Sequence, residues 1–108
     1  MPTFRFHGTD PEKLASVSTD LHEKLCVLYS VPLDYITIEV IHSTFLFQGK
    51  KVKSYPLVEV IAFKRPDELE DMVAEAVHSA LCHAGYNESE LYFTYVEERH
   101  YYGNGEHY

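Results

Sequence analysis

A strand, helix, strand order occurs twice in this chain, and that repetition restricts the fold more than any other feature. Residues 2–47 and 56–96 each read as an alternating apolar and polar run, an amphipathic helical stretch and a second alternating run. Each copy opens on a proline, Pro2 or Pro56, and in each an aspartate beside a proline marks the helix start, Asp10-Pro11 and Pro66-Asp67. Parallel strands need a crossover connection, and such crossovers are right-handed. Two units side by side give a four-stranded mixed sheet with two helices on one face. The expected class is therefore α+β, an α/β two-layer sandwich built as a tandem βαβ repeat, in a single domain over residues 1–108. Its half-repeats cover about 1–48 and 55–97, and residues 98–108 form a C-terminal tail.

Local signals place the elements. Asp10 is positioned to cap the first helix with Pro11 in its first turn, and Thr9 with Glu12 is the alternative cap. Leu14, Val17, Leu21, Leu25 and Leu28 recur at spacings of three and four, so one stripe faces a core until Ser30-Val31-Pro32 ends the helix. Residues 35–41 alternate with period two, and a continuation through Phe47 bends near His42-Ser43-Thr44. Gln48-Gly49-Lys50-Lys51 reads as a turn or loop, residues 56–63 as the third strand and residues 91–96 as the fourth. Asp67 and Glu70 have capping-box spacing at the second helix. Its buried stripe is expected to be Leu69, Met72, Val73, Ala76, Val77, Ala80 and Leu81, with Gly85 at the left-handed end.

The helix-free face carries Thr3, Arg5, His7, Thr37, Glu39, Leu57, Glu59 and Ile61, too apolar for open water and too charged for a dry core. Sheet-against-sheet self-association would cover it, so a symmetric oligomer is expected. Arg5 and Glu59 hold equivalent places in the two half-repeats, with Glu39 on the same face, which predicts a paired ion network lining the oligomer channel. A carboxylate that activates water is the sharper alternative. The formal charge of −8 disfavours nucleic acid and anionic membrane surfaces. A small anionic substrate stays admissible, because one local cation in a pocket outweighs a distant surface field. Cys26 and Cys82 lie in separate helices and in no C-x-x-C pair, which predicts two buried free thiols in a reducing cytosol. No charged leader precedes an apolar stretch and no run approaches about 18 apolar residues, so a cytoplasmic chain outside the membrane is expected. His100 and His107 have no third ligand at useful spacing, and neither a metal nor a cofactor is expected.

The first two residues carry the chemistry. If methionine removal exposes Pro2, the opening strand begins with a secondary amine. If Met1 stays, the same nitrogen is a tertiary amide with no basicity and no hydrogen to donate. The structural alternative is that Pro2 merely starts a strand, where proline is tolerated.

Several stretches, in order and over nearly the whole length, resemble the tautomerase superfamily of macrophage migration inhibitory factor and 4-oxalocrotonate tautomerase. They are Met1-Pro2, Val31-Pro32-Leu33-Asp34-Tyr35-Ile36, Leu91-Tyr92-Phe93-Thr94-Tyr95, and the tail segment Tyr102-Gly103-Asn104-Gly105. Within that superfamily the chain looks closest to an uncharacterised bacterial branch. The resemblance implies a homotrimer with three pockets at subunit boundaries, and Pro2 as the mature N-terminus and catalytic base. By position, Tyr35 and Tyr92 match aromatic residues that line the family pocket, where Tyr92 would donate a hydrogen bond to a developing enolate oxygen. Their alternative role is ordinary packing with the hydroxyl at the surface.

The departures concern the substrate's carboxylate. Thr37 stands where the family has an arginine in the second strand, the Gly8-Thr9-Asp10 turn offers no other, and Val31 replaces a lysine. Lys64 and Arg65, at the end of the third strand, are the best substitutes because that region borders the pocket in relatives. A solvated cap beside a helix start is their alternative. His42, at the strand bend, is a candidate pocket acid or base. The expected function is a tautomerase or isomerase that uses an N-terminal proline as general base on a small 2-oxo acid or enol. A non-catalytic tautomerase-fold trimer that retains Met1 and binds through its pocket or surface is the second reading, and a ferredoxin-like ligand-binding domain the third. Light scattering at micromolar concentration should give three chains per particle; a monomer would contradict the assembly.

Overall fold

The computed structural model describes residues 1–53 and 55–108. Four strands form the main sheet: β1 (Thr3–His7), β2 (Thr37–Ile41), β5 (Leu57–Ala62) and β6 (Glu90–Tyr95), in the order β2-β1-β5-β6. Strand β1 is parallel to β2 and antiparallel to β5, and β5 is parallel to β6. Helix α1 (Pro11–Tyr29) crosses over from β1 to β2, and α2 (Asp67–His83) from β5 to β6. Each unit therefore pairs its own two strands, which separates this sheet from a ferredoxin-like one, whose βαβ units are split.

The period-two pattern of the strands decides their faces. Phe4, Phe6, Val58 and Val60 are wholly inaccessible, and with Leu14, Leu21, Leu25, Val73, Val77 and Leu81 of the helices they make the core between the two layers. The opposite face keeps Arg5, Glu39 and Glu59, as the alternation predicts, and there they pair: Arg5 Nε donates to Glu39 Oε1 at 2.9 Å and Nη1 lies 3.9 Å from Glu59 Oε1. Thr94 Oγ1 donates to the other oxygen of Glu59 at 2.8 Å.

Asp10 caps α1 by accepting from the Glu12 amide at 2.9 Å. Before it, Gly8 has φ +78°, and a Cβ there would meet the Tyr55 carbonyl oxygen at 3.0 Å, so the turn that aims β1 into α1 requires glycine. Gly85, at φ +101°, ends α2, with the Tyr86 amide donating back to the Leu81 carbonyl.

Several expectations are corrected. The second strand stops at Ile41 rather than running on, and residues 45–47 instead form β3 (Phe45–Phe47), paired antiparallel with β4 (Lys50–Val52) in a separate hairpin. Gln48 and Gly49, both at positive φ, make its two-residue turn, which puts Lys50 and Lys51 in a strand. Residues 33–35 form a short 3₁₀ turn, and the His22 ring bonds the Leu33 carbonyl at 2.7 Å. Among the described residues no side chain caps α2: Pro66 holds that position, while Lys64 takes up both Asp67 and Glu70. Met72 is 47% exposed and its expected place on the stripe goes to Glu70, only 7% exposed. Cys26 is buried but Cys82 is exposed, both with free thiols. The tail makes a small hairpin, β7 (Tyr102–Gly103) with β8 (Glu106–His107), flanked by Tyr101 and Tyr108, whose rings pack on Phe63. Among the described residues no helix is long and apolar enough to cross a membrane.

Phe4→Ala should lower the unfolding free energy by about 3–5 kcal/mol, since it opens a cavity between sheet and helices. Val27→Ala, at a side chain 78% exposed, should change it by less than about 0.5 kcal/mol. Urea unfolding of the two variants checks both, and equal losses would contradict the core described.

Candidate functional site

An internal strand that begins at residue 3 puts the chain's first atoms between the ends of two neighbouring strands. The Pro2 carbonyl accepts from the Thr37 amide at 3.1 Å, and the Pro2 side chain is fully buried. The Met1 amine donates to the Tyr35 carbonyl at 3.1 Å, and burial pulls it below the ordinary range of an α-amino group. With Met1 in place the Pro2 nitrogen is an amide; without it, that nitrogen becomes the terminal amine at the same strand end.

Two clusters meet here, on opposite sides of the sheet. On the open side the tail contributes an aromatic group. The Phe63 and Tyr101 rings stand edge to face at 5.6 Å, and Tyr108 lies 5.0 Å from Tyr101. Burial first, then the neighbouring Tyr35, raises the Tyr108 phenol.

On the helix side lies a polar cluster. Glu70 Oε1 accepts from Tyr95 at 2.8 Å and from Lys64 Nζ at 3.1 Å, and Lys64 also donates to Asp67 at 3.1 Å and reaches the Tyr95 hydroxyl at 3.3 Å. Hydrogen bonds to Asp67, Glu70 and Tyr95 hold the Lys64 ammonium well above the usual lysine range. Its charge is spent on those carboxylates. Arg65 differs: its guanidinium sits 5.4 Å above the Tyr29 ring and, among the described residues, forms no salt bridge. Among the described residues, the buried Glu70 Oε2 and Tyr29 hydroxyl have no hydrogen-bond partner. Burial, followed by the Glu70 charge, pushes the Tyr29 phenol up to about 12.

The sequence-predicted residues therefore divide. Pro2, Tyr35, Lys64 and Arg65 come to one end of the sheet. Tyr92 does not: it pairs with Glu59, three residues before Tyr95, and is 46% exposed on the open face. His42 lies in the bend beyond β2, at the opposite end of the sheet. Among the described residues no group of three or more His, Cys, Asp or Glu could hold a metal; His107 instead stacks on Tyr102 at 4.6 Å. Sequence reasoning missed Glu70, Tyr29 and Tyr95 as site residues. One signal was present: Glu70 precedes Val73 by three positions and Val77 by seven, on the buried stripe of α2.

The model of a domain of unknown function, DUF1904, matches residues 1–107. A crystal structure of a DUF1904 domain from Sebaldella termitidis is similar to this chain at 28% identity, covering 100% of both chains with a TM-score of 0.93. A macrophage migration inhibitory factor-like protein from Entamoeba histolytica is 16% identical over 99% of this chain and 98% of its own, with a TM-score of 0.74. A fused 4-OT solved as an asymmetric trimer is 15% identical over 97% of this chain and 94% of its own, also at 0.74. At those identities the last two likenesses establish the tautomerase-like fold and nothing finer. Comparison with curated proteins gives no match.

Because folding keeps the Tyr29 proton in place, its contribution to stability is complete below the unfolded phenol's pKa near 10 and is lost as pH rises toward about 12. Wild-type unfolding free energy should fall more steeply over that window than that of Tyr29→Phe, while the loss from Lys64 is common to both. Equal slopes in urea titrations at stepped pH would contradict the buried, unpartnered phenol.

Proposed function

The chain belongs to the DUF1904 family, and from that premise we propose that it is a proline-dependent tautomerase or isomerase, active once Met1 is removed, on a small 2-oxo acid or enol. The observation that carries the reading is the position of the terminus, at the start of an internal strand with neighbours on both sides. Partial burial disfavours the cationic form of an amine, so the Pro2 nitrogen stays neutral and basic at cellular pH. It takes the proton alpha to the substrate carbonyl and returns it at the other end of the enol, so no group outside the site is consumed.

Arg65 suits the substrate carboxylate better than Lys64, because among the described residues it pairs with no carboxylate, whereas Lys64 is held by Asp67 and Glu70. Tyr35 lies next to the terminus, its backbone carbonyl accepting from the Met1 amine. Tyr92 is too far along β6 to serve its own terminus, so in a homotrimer it would serve a neighbouring pocket. The charged open face with Arg5, Glu39 and Glu59 supports that assembly, as does the trimeric 4-OT among the fold's relatives. A reducing cytosol suits the two free thiols. A second reading, a binding trimer that keeps Met1, draws on the bond between the Met1 amine and Tyr35.

In protein lacking Met1, Pro2→Ala should lower kcat/KM for keto–enol exchange of a phenylpyruvate-like probe about a hundred- to ten-thousand-fold. Arg65→Gln should raise KM for the acid and leave the methyl ester little changed. A Pro2→Ala rate equal to wild type rejects Pro2 as the base and leaves the binding reading.

A further inference from the structure

We propose a second ligand site at the other end of the sheet, for a small molecule with an apolar body and an anionic phosphate or carboxylate head. Strand β1 carries the chain from Pro2 to the turn at Gly8, so this site lies about 20 Å from the terminal amine.

Two hollows meet there. One, about 380 Å³, is lined by Gly8, Thr9, Lys13, His42, Ser43 and Lys53 among others; the second, about 680 Å³, is lined by Leu46, Phe47, Tyr55 and Pro56. Phe45, Val52, Lys53 and Tyr86 line both, so the two are halves of one depression. Their volumes are those of small-molecule sites.

The halves differ in chemistry. In the first, Lys13 and Lys53 form no salt bridge among the described residues, and Lys50 and Lys51 stand close by on β4. Four of the nine Lys and Arg residues thus gather at one end of a chain whose formal charge is −8. Asp10 is the one carboxylate among the described residues lining this half, its Oδ1 turned to the Glu12 amide as the helix cap. Among the described residues the buried Thr9 hydroxyl oxygen has no hydrogen-bond partner, a polar group left unsatisfied beside the lysines. Tyr86, which separates the halves, is pinned by the Asp10 amide at 2.8 Å and has Lys13 Nζ 5.6 Å from its ring centre. The second half is mainly apolar and open, with Leu46 69% and Phe47 65% exposed, and Asn87 and Glu88 add polar groups to its lining.

Unpaired cations beside an apolar wall fit a ligand with an anionic head and an apolar body. The acidic remainder of the chain repels a long polyanion, which leaves a free small molecule as the occupant.

The test is fluorescence titration of the intact chain with 1-naphthyl phosphate, with inorganic phosphate as the head-group control. Saturable binding of one probe per chain is expected, with inorganic phosphate a weak competitor. Lys13→Gln and Lys53→Gln should each weaken it about tenfold, the loss of one charge-assisted contact, and Phe47→Ser should weaken it too. Pro2→Ala should bind the probe as wild type does, and the lysine variants should keep any tautomerase rate, so this site and the proline site fail separately. Three outcomes overturn the proposal: no saturation up to about 1 mM, equal affinity in the double lysine variant, or loss of binding with Pro2→Ala.

Discussion

The hydrogen bonding of β1 on both edges is the constraint from which the rest of the structure follows. A strand paired with β2 on one side and β5 on the other cannot leave its first residues loose, because their backbone groups belong to the ladder. The Thr37 bond to the Pro2 carbonyl and the Met1 bond to the Tyr35 carbonyl extend that ladder to the first atom of the chain. A chain terminus, ordinarily solvated and mobile, is thereby fixed in a partly desolvated place. Burial there lowers the basicity of the terminal amine.

Around that end the chain sorts its charges. Glu70 is buried on the core stripe of α2, where an isolated carboxylate would be costly, and Lys64 and Tyr95 supply its partners. Lys64 is consumed by that duty. Arg65, one residue on, lies over an aromatic ring and retains an unneutralised charge. Neighbouring cations with similar sequence signals thus differ: one is bound up with two carboxylates, and the other pairs with none among the described residues. The opposite end of the sheet gathers lysines of the second kind.

Much of this was legible in the sequence. The duplicated strand, helix, strand order gave the layers, and period-two alternation put Phe4 and Phe6 inside and Arg5 outside with its two carboxylates. The β3–β4 hairpin was not read, because residues 45–47 continue the apolar run of β2 and only the positive φ of Gln48 and Gly49 reverses it. Capping-box spacing at Asp67 and Glu70 misled, since the same spacing lets one lysine draw both side chains away from the helix amides. Pro2, Tyr35, Lys64 and Arg65 were singled out by the family resemblance, and the strand order explains why they lie at one end of the sheet. The orphaned Tyr29 hydroxyl was not legible, because burial without a partner is a property of packing and leaves no mark on local pattern.

The central claim concerns the state of one nitrogen atom, and ¹⁵N NMR of proline-labelled protein lacking Met1, followed through a pH titration, measures it directly. A Pro2 amine that titrates below the roughly 7.7–8.0 of an exposed α-amino group is the predicted result. A midpoint at or above that range would mean a solvated cation at neutral pH and would contradict the account.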